Sequence, residues 1–276
     1  MAHAGLADAY LLFARMDILA PRVAYPKAKE AAEKALEIDD ALAEGYAALA
    51  FTKYNYDWDW MGAEIDFNWA IGLNPNYATA YQYYGSLLVS LGRFEEALAK
   101  FEKAKELDPS SVPVRASIAS LFIHSRQYDL AAKASREIIK MAPDSHLGPI
   151  FLGEAELGMK SFKKALQDFE KGNRLAGAGG QYLPEIAYAQ AVAGNRPEAQ
   201  RILEELTQKS ETTYVPAYSL ACILAGLGVR DQAFEYLDKA YEEKSTGMIL
   251  LKVDPRLDPL RDDPRFEALL EKMRLK

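Results

Sequence analysis

Apolar residues recur at helical spacing along this chain, and the pattern itself repeats every 34 residues. In residues 78–111, two amphipathic stretches flank Leu-Gly-Arg at 91–93, which predicts a pair of helices joined by a short turn. Two earlier copies fit the same period with insertions before the second helix, one of a single residue and one spanning residues 12–26. The pattern predicts seven helix pairs, with repeats starting near residues 1, 43, 78, 112, 146, 180 and 214.

Two positions of the repeat hold only small residues. Position 8, in the first helix (helix A) of each pair, is Ala7, Ala50, Gly85, Ala119, Gly153, Ala187 and Ala221. Position 20, in the second helix (helix B), is Ala28, Ala63, Ala97, Ala131, Ala165, Ala199 and Ala233. Small side chains allow two antiparallel helices to cross closely, whereas larger ones would force them apart. Because no single pair can bury its apolar face, the pairs are predicted to stack into a solenoid.

Glycine and proline mark the predicted helix ends. Gly92, Gly194 and Gly228 stand where helix A must stop in a left-handed residue. Asn74-Pro75 and Asp108-Pro109 end helix B, since proline lacks the N–H and disfavours helix in the residue before it.

This motif resembles the tetratricopeptide repeat (TPR), and the resemblance covers nearly all of residues 4–245. It implies an all-α fold, a right-handed α-α superhelix of about seven helix pairs, in which the A helices line a concave groove. We therefore divide the chain into a TPR solenoid at 1–245 and a C-terminal capping segment at 246–276 that ends in a capping helix. Asp-Pro occurs three times in that segment, and each Asp is predicted to cap a helix that begins at the Pro.

A narrower resemblance rests on residues 56–63 (Tyr-Asp-Trp-Asp-Trp-Met-Gly-Ala), 74–80 and 253–266. These stretches are similar to the C-terminal TPR regions of bacterial signalling proteins. In those proteins the array follows a winged-helix DNA-binding domain, a class III nucleotide cyclase or a Ser/Thr kinase domain. No effector motif of these kinds occurs in this sequence. The resemblance implies the sensory or regulatory part of a larger signalling protein, of which this chain is expected to be a fragment.

TPR proteins usually contact a peptide through positions 2, 5, 9, 12 and 13 of helix A. Tyrosine and apolar anchors among small hydroxyl side chains make the lining mostly neutral, which favours a largely uncharged peptide segment. Positions 5 and 9 lack the Lys and Asn of a carboxylate clamp, which argues against the acidic tail of a heat-shock chaperone as ligand. The other interpretation of each residue is ordinary packing between helices or solvent exposure. The candidate groove residues are Phe51, Tyr54, Gln82, Ser86, Ser90, Ser120, His124, Glu154, Tyr188 and Tyr218.

These features favour a non-catalytic scaffold that binds a protein or peptide partner and is a monomer or a weak homodimer. A competing hypothesis is a structural solenoid that self-associates through incompletely covered terminal faces. Light scattering at several concentrations separates the two.

Two local features have more than one interpretation. Trp58 and Trp60 flank Asp59 next to the one-residue insertion of the second repeat. The two tryptophans either form an aromatic binding surface or fill the space that the insertion opens, and in the second case Asp59 caps helix B. We favour the second interpretation. The insertion at residues 12–26 either extends helix A or folds over the end of the solenoid, and we favour a structural cap.

Charge and composition exclude several classes. With 40 acidic and 33 basic residues the net charge is −7, which opposes binding to nucleic-acid phosphates. No apolar run approaches the length of a membrane span, and the first 20 residues carry charges where a signal peptide is apolar. The chain is therefore predicted to be cytoplasmic, or periplasmic where a parent protein carries a membrane span.

No residue set favours catalysis, a cofactor or a metal. The three His residues fall in different repeats without a partner ligand at helical spacing. The glycine-rich run at 177–180 follows a helix and lacks the Lys of a phosphate loop, so it is predicted to be a flexible turn. Cys222 has no activating cation or His nearby in its motif. We expect no enzyme, no cofactor and no metal site.

Overall fold

The computed structural model describes residues 2–177 and 180–275, and these form helices and turns without a β-strand. The A helices are α1 (Ala2–Arg15), α3 (Ala43–Thr52), α5 (Ala78–Ser90), α7 (Val112–His124), α9 (Leu147–Gly158), α11 (Leu183–Val192) and α13 (Ala217–Leu227). The B helices are α2 (Pro21–Ile38), α4 (Trp60–Leu73), α6 (Phe94–Leu107), α8 (Tyr128–Met141), α10 (Phe162–Ala176), α12 (Arg196–Lys209) and α14 (Arg230–Glu243). Two 3₁₀ helices, Thr246–Leu250 and Pro255–Leu260, and a final helix α15 (Pro264–Lys272) follow. The predicted all-α fold of seven helix pairs is confirmed.

The 34-residue period appears directly in the helix starts. From α4 onward the B helices begin at residues 60, 94, 128, 162, 196 and 230, each 34 residues after the last. The predicted glycine-rich turn between α10 and α11 includes Ala178 and Gly179, which lie outside the described residues.

The small residues at positions 8 and 20 lie where the two helices of each pair cross. All twelve alanines of these positions have no exposed surface, and the two glycines are buried as well. A Cβ atom on Gly85 would lie 2.5 Å from the Phe101 ring, and one on Gly153 would lie 2.8 Å from the Phe169 ring. The close crossing inferred from the sequence is therefore a property of the packed pairs.

The one-residue insertion of the second repeat forms a π-helical turn, Lys53–Asp57, at the end of α3. A π turn accommodates one residue more than an α turn, so the extra residue widens the helix end and leaves α4 in register. Asp59 then caps α4 by accepting a hydrogen bond from the Gly62 N–H at 3.0 Å, and Trp58 and Trp60 are buried. The interpretation of this cluster as packing with an N-cap is confirmed.

The insertion at residues 12–26 does not form a separate cap. Helix α1 continues to Arg15, and α2 begins at Pro21 and runs through Pro26, so most of the insertion lengthens the two helices. The predicted structural cap is therefore wrong. That prediction assumed helices of the same length in every repeat, so the extra helical turns of α1 and α2 were counted as an insertion.

The turn after helix A recurs in five successive repeats with one left-handed residue. Gly92, Gly194 and Gly228 occupy it with φ between 74° and 88°, as predicted. In the two repeats between them, the same position is held by Arg126 and Lys160, with φ of 61° and 60°. A side chain is thus tolerated where glycine is preferred, at a conformational cost.

The chain forms two compact units. Unit 1 comprises Met1–Ser110, Ala240–Lys252 and Leu270–Lys276, and unit 2 comprises Ser111–Lys239 and Val253–Leu269. Each unit therefore combines repeats with part of the chain beyond residue 245.

In unit 1 the end of the chain lies against the second repeat. The Trp60 Nε1–H donates a hydrogen bond to the Met273 carbonyl at 2.8 Å, and the Lys244 ammonium lies 3.4 Å from the Trp58 ring centroid. Residues that follow the last repeat thus complete the packing around the tryptophans.

Two of the three Asp-Pro pairs cap a helix with the Asp side chain, and the third does not. Asp254 caps the Pro255–Leu260 helix by accepting from the Arg256 N–H, and Asp263 accepts from the Arg265 N–H at the start of α15. Asp258 instead lies inside the 3₁₀ helix, where its carboxylate pairs with Arg126 and Arg261. The predicted cap at Asp258 is wrong, because the helix that begins at Pro255 continues through Pro259.

Candidate functional site

In unit 2 the chain beyond the repeats returns to the A helices. We call residues 253–261 the return segment. Its 3₁₀ helix packs against α13, Arg256 pairs with Glu185 of α11 at 3.8 Å, and Asp258 pairs with Arg126 at the end of α7 at 2.7 Å. The surface where the repeat pattern predicts a peptide groove therefore holds a segment of the same chain.

Asp254 is the centre of the polar contacts of the return segment. Its carboxylate is 1% exposed, accepts from the Tyr218 hydroxyl at 2.8 Å and pairs with the Arg256 guanidinium at 2.7 Å. The Arg261 guanidinium donates to the Asp254 carbonyl at 3.0 Å. Burial opposes the ionised form of Asp254, but the Arg256 guanidinium outweighs burial and lowers the pKa of this carboxyl to about 2. A buried carboxylate is stable here because it is paired and hydrogen-bonded.

Two further carboxyls face the same guanidinium. Burial raises the pKa of Glu154 to about 8, with Arg256 opposing the rise and Glu185 and Asp254 adding to it. Burial also raises the pKa of Glu185, and Glu185 Oε2 accepts no hydrogen bond from any described residue. The Arg256 guanidinium therefore hydrogen-bonds to Asp254 and lies 3.8 Å from Glu185, whose Oε2 stays unsatisfied by the described residues.

The three A helices α9, α11 and α13 supply no cation to balance these acids. Helices α9, α11 and α13 contain no Lys or Arg, and their charged residues are Glu154, Glu156 and Glu185. The positive charge at the centre of this surface comes from the return segment alone, through Arg256.

His124 borders the same cluster from α7. Its Nδ1 lies 2.7 Å from the Ser120 carbonyl oxygen, which can only accept, so Nδ1 carries the proton in the neutral ring. Burial lowers the pKa of His124, with the Asp254 carboxylate opposing the shift. The histidine thus contributes a neutral hydrogen-bonding ring rather than a cation.

In unit 1 the candidate groove residues form a second, mainly aromatic surface. Phe51 lies 5.2 Å from Tyr54 and 4.5 Å from Tyr83 between ring centroids, and the Arg15 guanidinium lies over Phe51 at 5.9 Å. The Thr246–Leu250 helix packs against α5 and against the π-helical turn. An uncharged stretch of the chain therefore lies next to this aromatic surface.

The polar candidates of α5 bond mainly to their own helix. Ser86 donates to the Gln82 carbonyl at 3.1 Å and Ser90 donates to the Ser86 carbonyl at 3.2 Å, while Gln82 and Ser90 are buried. Only Ser86 is partly exposed. Their role in binding a ligand stays a prediction.

The structure places four of the ten candidate residues near the return segment: His124, Glu154, Tyr188 and Tyr218. Ser120 lies beside this group, because its hydroxyl is 3.3 Å from His124 Nδ1. The sequence reasoning did not assign Asp254, Arg256 or Glu185 to this site. One signal was available for Glu185, because α9, α11 and α13 carry acids and no base.

The chemistry of the described residues offers no reactive centre. Burial raises the pKa of Cys222, which keeps the thiol protonated, and residues 2–177 and 180–275 contain no cluster of three or more His, Cys, Asp or Glu suited to a metal ion. Over the same ranges, no helix is both long enough and apolar enough to span a bilayer.

The repeat geometry agrees with comparisons to known proteins. Residues 78–111 match the family model described as the tetratricopeptide repeat. The chain contains the tetratricopeptide repeat. A TPR protein from Parabacteroides merdae has a similar structure, with a TM-score of 0.61 and 13% identity over 99% of this chain and 98% of that one. Yeast Tom70 has a TM-score of 0.55 and 21% identity over 90% of this chain and 50% of that one. These likenesses show the TPR fold.

Curated relatives match over shorter stretches. The transcriptional regulator HilA of Salmonella typhimurium is 32% identical over 121 residues, which are 44% of this chain and 21% of HilA. Sperm-associated antigen 1 of Rattus norvegicus is 28% identical over 120 residues, again 44% of this chain, and the match covers 13% of that protein. The chain thus spans a small part of these relatives, and TPR arrays mediate protein–protein contacts in general.

Proposed function

We propose that the chain is a non-catalytic scaffold that binds a protein segment along its A helices. The observation that supports this most is the return segment, because residues 253–261 contact the A helices of unit 2 as a bound peptide would. A surface that holds one peptide segment through side-chain contacts has the shape and chemistry to hold another.

The preferred ligand differs between the two units. In unit 1 the aromatic lining around Phe51 and Tyr54 and the neighbouring uncharged Thr246–Leu250 helix favour a largely uncharged segment, as the sequence predicts. In unit 2 the occupant carries Asp254, Arg256 and Asp258, so charge complementarity contributes there.

We further propose that the array is the sensory or regulatory part of a larger signalling protein. The similarity to HilA, a transcriptional regulator, supports this context, as do the stretches at 56–63 and 253–266. A cytoplasmic location is part of the same proposal.

Site-specific photo-cross-linking tests the groove assignment. A benzophenone amino acid replaces Ser86, which is partly exposed on α5, or Glu102, which is exposed on α6 as the matched control. Both chains need the same helicity by circular dichroism. We expect a discrete cross-linked protein from source-cell lysate with the probe at residue 86 and none with the probe at residue 102. Equal products from both, or none from residue 86, would refute the groove as the binding surface.

A second candidate function is self-association through the first helix pair. Exposed apolar side chains concentrate there, with Leu12, Ile18 and Val23 each 45–57% exposed. Light scattering over a concentration series, with Ile18→Glu as the comparison, tests it. A mass that stays monomeric at all concentrations eliminates this candidate.

A further inference from the structure

The surface of unit 2 under the return segment carries acidic side chains but no basic side chain from α9, α11 or α13. Glu185 of α11 lies 3.8 Å from the Arg256 guanidinium, and Glu154 of α9 lies within electrostatic range of it. Without the return segment this surface presents carboxyls and tyrosines, which together suit a guanidinium group.

The tyrosines complete the guanidinium site. The Tyr218 ring centroid lies 5.9 Å from Arg256 Cζ, within range of a cation–π contact, and the Tyr218 hydroxyl holds Asp254 at 2.8 Å. One aromatic side chain thus contacts both members of the Asp-x-Arg pair, and this contact requires a single residue between the Asp and the Arg.

We propose that unit 2 carries a recognition site for a peptide segment with an Asp-x-Arg pair, and that residues 253–261 are its tethered ligand. The guanidinium site consists of Glu154, Glu185 and Tyr218. A partner that presents the same pair binds by displacing the return segment, so the tether sets the threshold for partner binding. This inference rests on the proposed scaffold function and specifies its partner and its regulation.

The contacts at the rim of the segment suit a reversible ligand. The Arg126–Asp258 pair is 41% and 44% exposed on its two side chains. Exposed ion pairs contribute little to stability. Under the segment, Glu185 Oε2 of α11 is buried without a hydrogen bond from the described residues, so the bound return segment leaves part of the site unsatisfied.

Binding of a peptide in trans tests the proposal in the full chain. The probe is a fluorescein-labelled peptide of residues 251–263, and the key variant is Arg256→Met, which keeps an unbranched apolar stem and removes the guanidinium. We expect the peptide to bind this variant at least tenfold more tightly than the wild type. The reason is that the wild-type segment competes at an effective concentration in the millimolar range. Arg201→Met, which removes an exposed guanidinium on α12, is the matched control and is expected to match the wild type.

Specificity is tested with the peptide itself. The same peptide with Arg256→Met is expected to bind the Arg256→Met chain at least tenfold more weakly than the unaltered peptide does. Adding Glu154→Gln and Glu185→Gln to that chain is expected to reduce binding by a similar factor. Equal binding of both peptides, or no binding by a folded Arg256→Met chain, overturns the proposal.

Hydrogen exchange of the wild-type chain gives an answer even if the variants fail to fold. Amides of residues 256–261 are expected to exchange through local opening, with less protection than the core of α13. Protection equal to that of α13 would make the segment a permanent part of the core and would overturn the proposal. If the peptide fails to bind but the probe at residue 86 still captures a partner, the scaffold function stands and this inference alone falls.

Discussion

The recurrent left-handed turn after helix A allows a prediction with its own internal control. Lys160 and Gly194 occupy equivalent positions one repeat apart, with φ of 60° and 88°. Lys160 is exposed, and no described ion pair involves it. A Cβ atom added at Gly194 would meet nothing within 4 Å. Substitution at either position therefore changes the backbone preference and little else.

The magnitude follows from two opposing terms. A left-handed conformation costs a non-glycine residue roughly 1–2 kcal/mol. Glycine loses about 0.5–1 kcal/mol more conformational entropy on folding than alanine does. Lys160→Gly is therefore expected to raise the free energy of unfolding by about 0.5–1 kcal/mol, and Gly194→Ala to lower it by about the same amount.

Thermal and urea unfolding followed by circular dichroism at 222 nm measure both changes. We expect Tm shifts of about 1–3 °C in opposite directions, with unchanged urea m-values. Arg126→Gly is the contrasting variant, because Arg126 also donates to the His124 carbonyl and pairs with Asp258. The loss of these two contacts is expected to offset the stability gained from relieving the backbone at this position. A lower stability for Lys160→Gly, or a higher one for Gly194→Ala, would show that backbone conformation does not control this turn.

Three further predictions concern burial, capping and packing. The pKa of Glu154 is about 8 in the folded chain, above its ordinary 4.5, so folding favours the protonated carboxyl. The contribution of Glu154 to the free energy of unfolding is therefore fully present below pH 4.5 and is lost as the pH rises through 8. Glu154→Gln is expected to make urea midpoints at pH 5, 6.5 and 8 more nearly equal, and an unchanged pH profile contradicts this. Asp59→Ala removes the cap of α4 and is expected to cost about 1 kcal/mol in urea unfolding, whereas Asp59→Asn restores most of it; equal losses argue against capping. Ala131→Leu overfills the crossing of α7 and α8, where Ala131 is fully buried, and is expected to lower the free energy of unfolding by about 1–3 kcal/mol. Lys133→Leu at an exposed position of α8 is the control, and equal effects of the two substitutions refute the packing argument.

Much of the fold follows from the repeat, because every pair faces the same packing problem. Small residues at positions 8 and 20 determine how closely two helices cross, and this local requirement is visible in sequence as a column of alanines and glycines. The same frame placed His124, Glu154 and Tyr218 on one surface, since equivalent positions of stacked helices face the same way.

The return segment was not predictable in this way. Periodicity specifies contacts between neighbouring repeats, whereas the Asp254–Tyr218 contact depends on the path of a segment that does not repeat. The Asp-Pro pairs predicted helix caps correctly at Asp254 and Asp263, but a capping motif contains no information about which surface the helix meets. The sequence property that indicates a guanidinium partner is the presence of acids on α9 and α11 together with the absence of Lys and Arg from α9, α11 and α13.

The hydrogen bond from Trp60 to the Met273 carbonyl has a consequence for biosynthesis. The two residues are 213 positions apart in the chain, yet both belong to unit 1. At translation rates of 5–20 residues per second, about 10–40 s separate their appearance on the ribosome. The indole of Trp60 therefore waits through the synthesis of all later repeats before its partner exists, so the packing of unit 1 is completed only after residue 273 has been made.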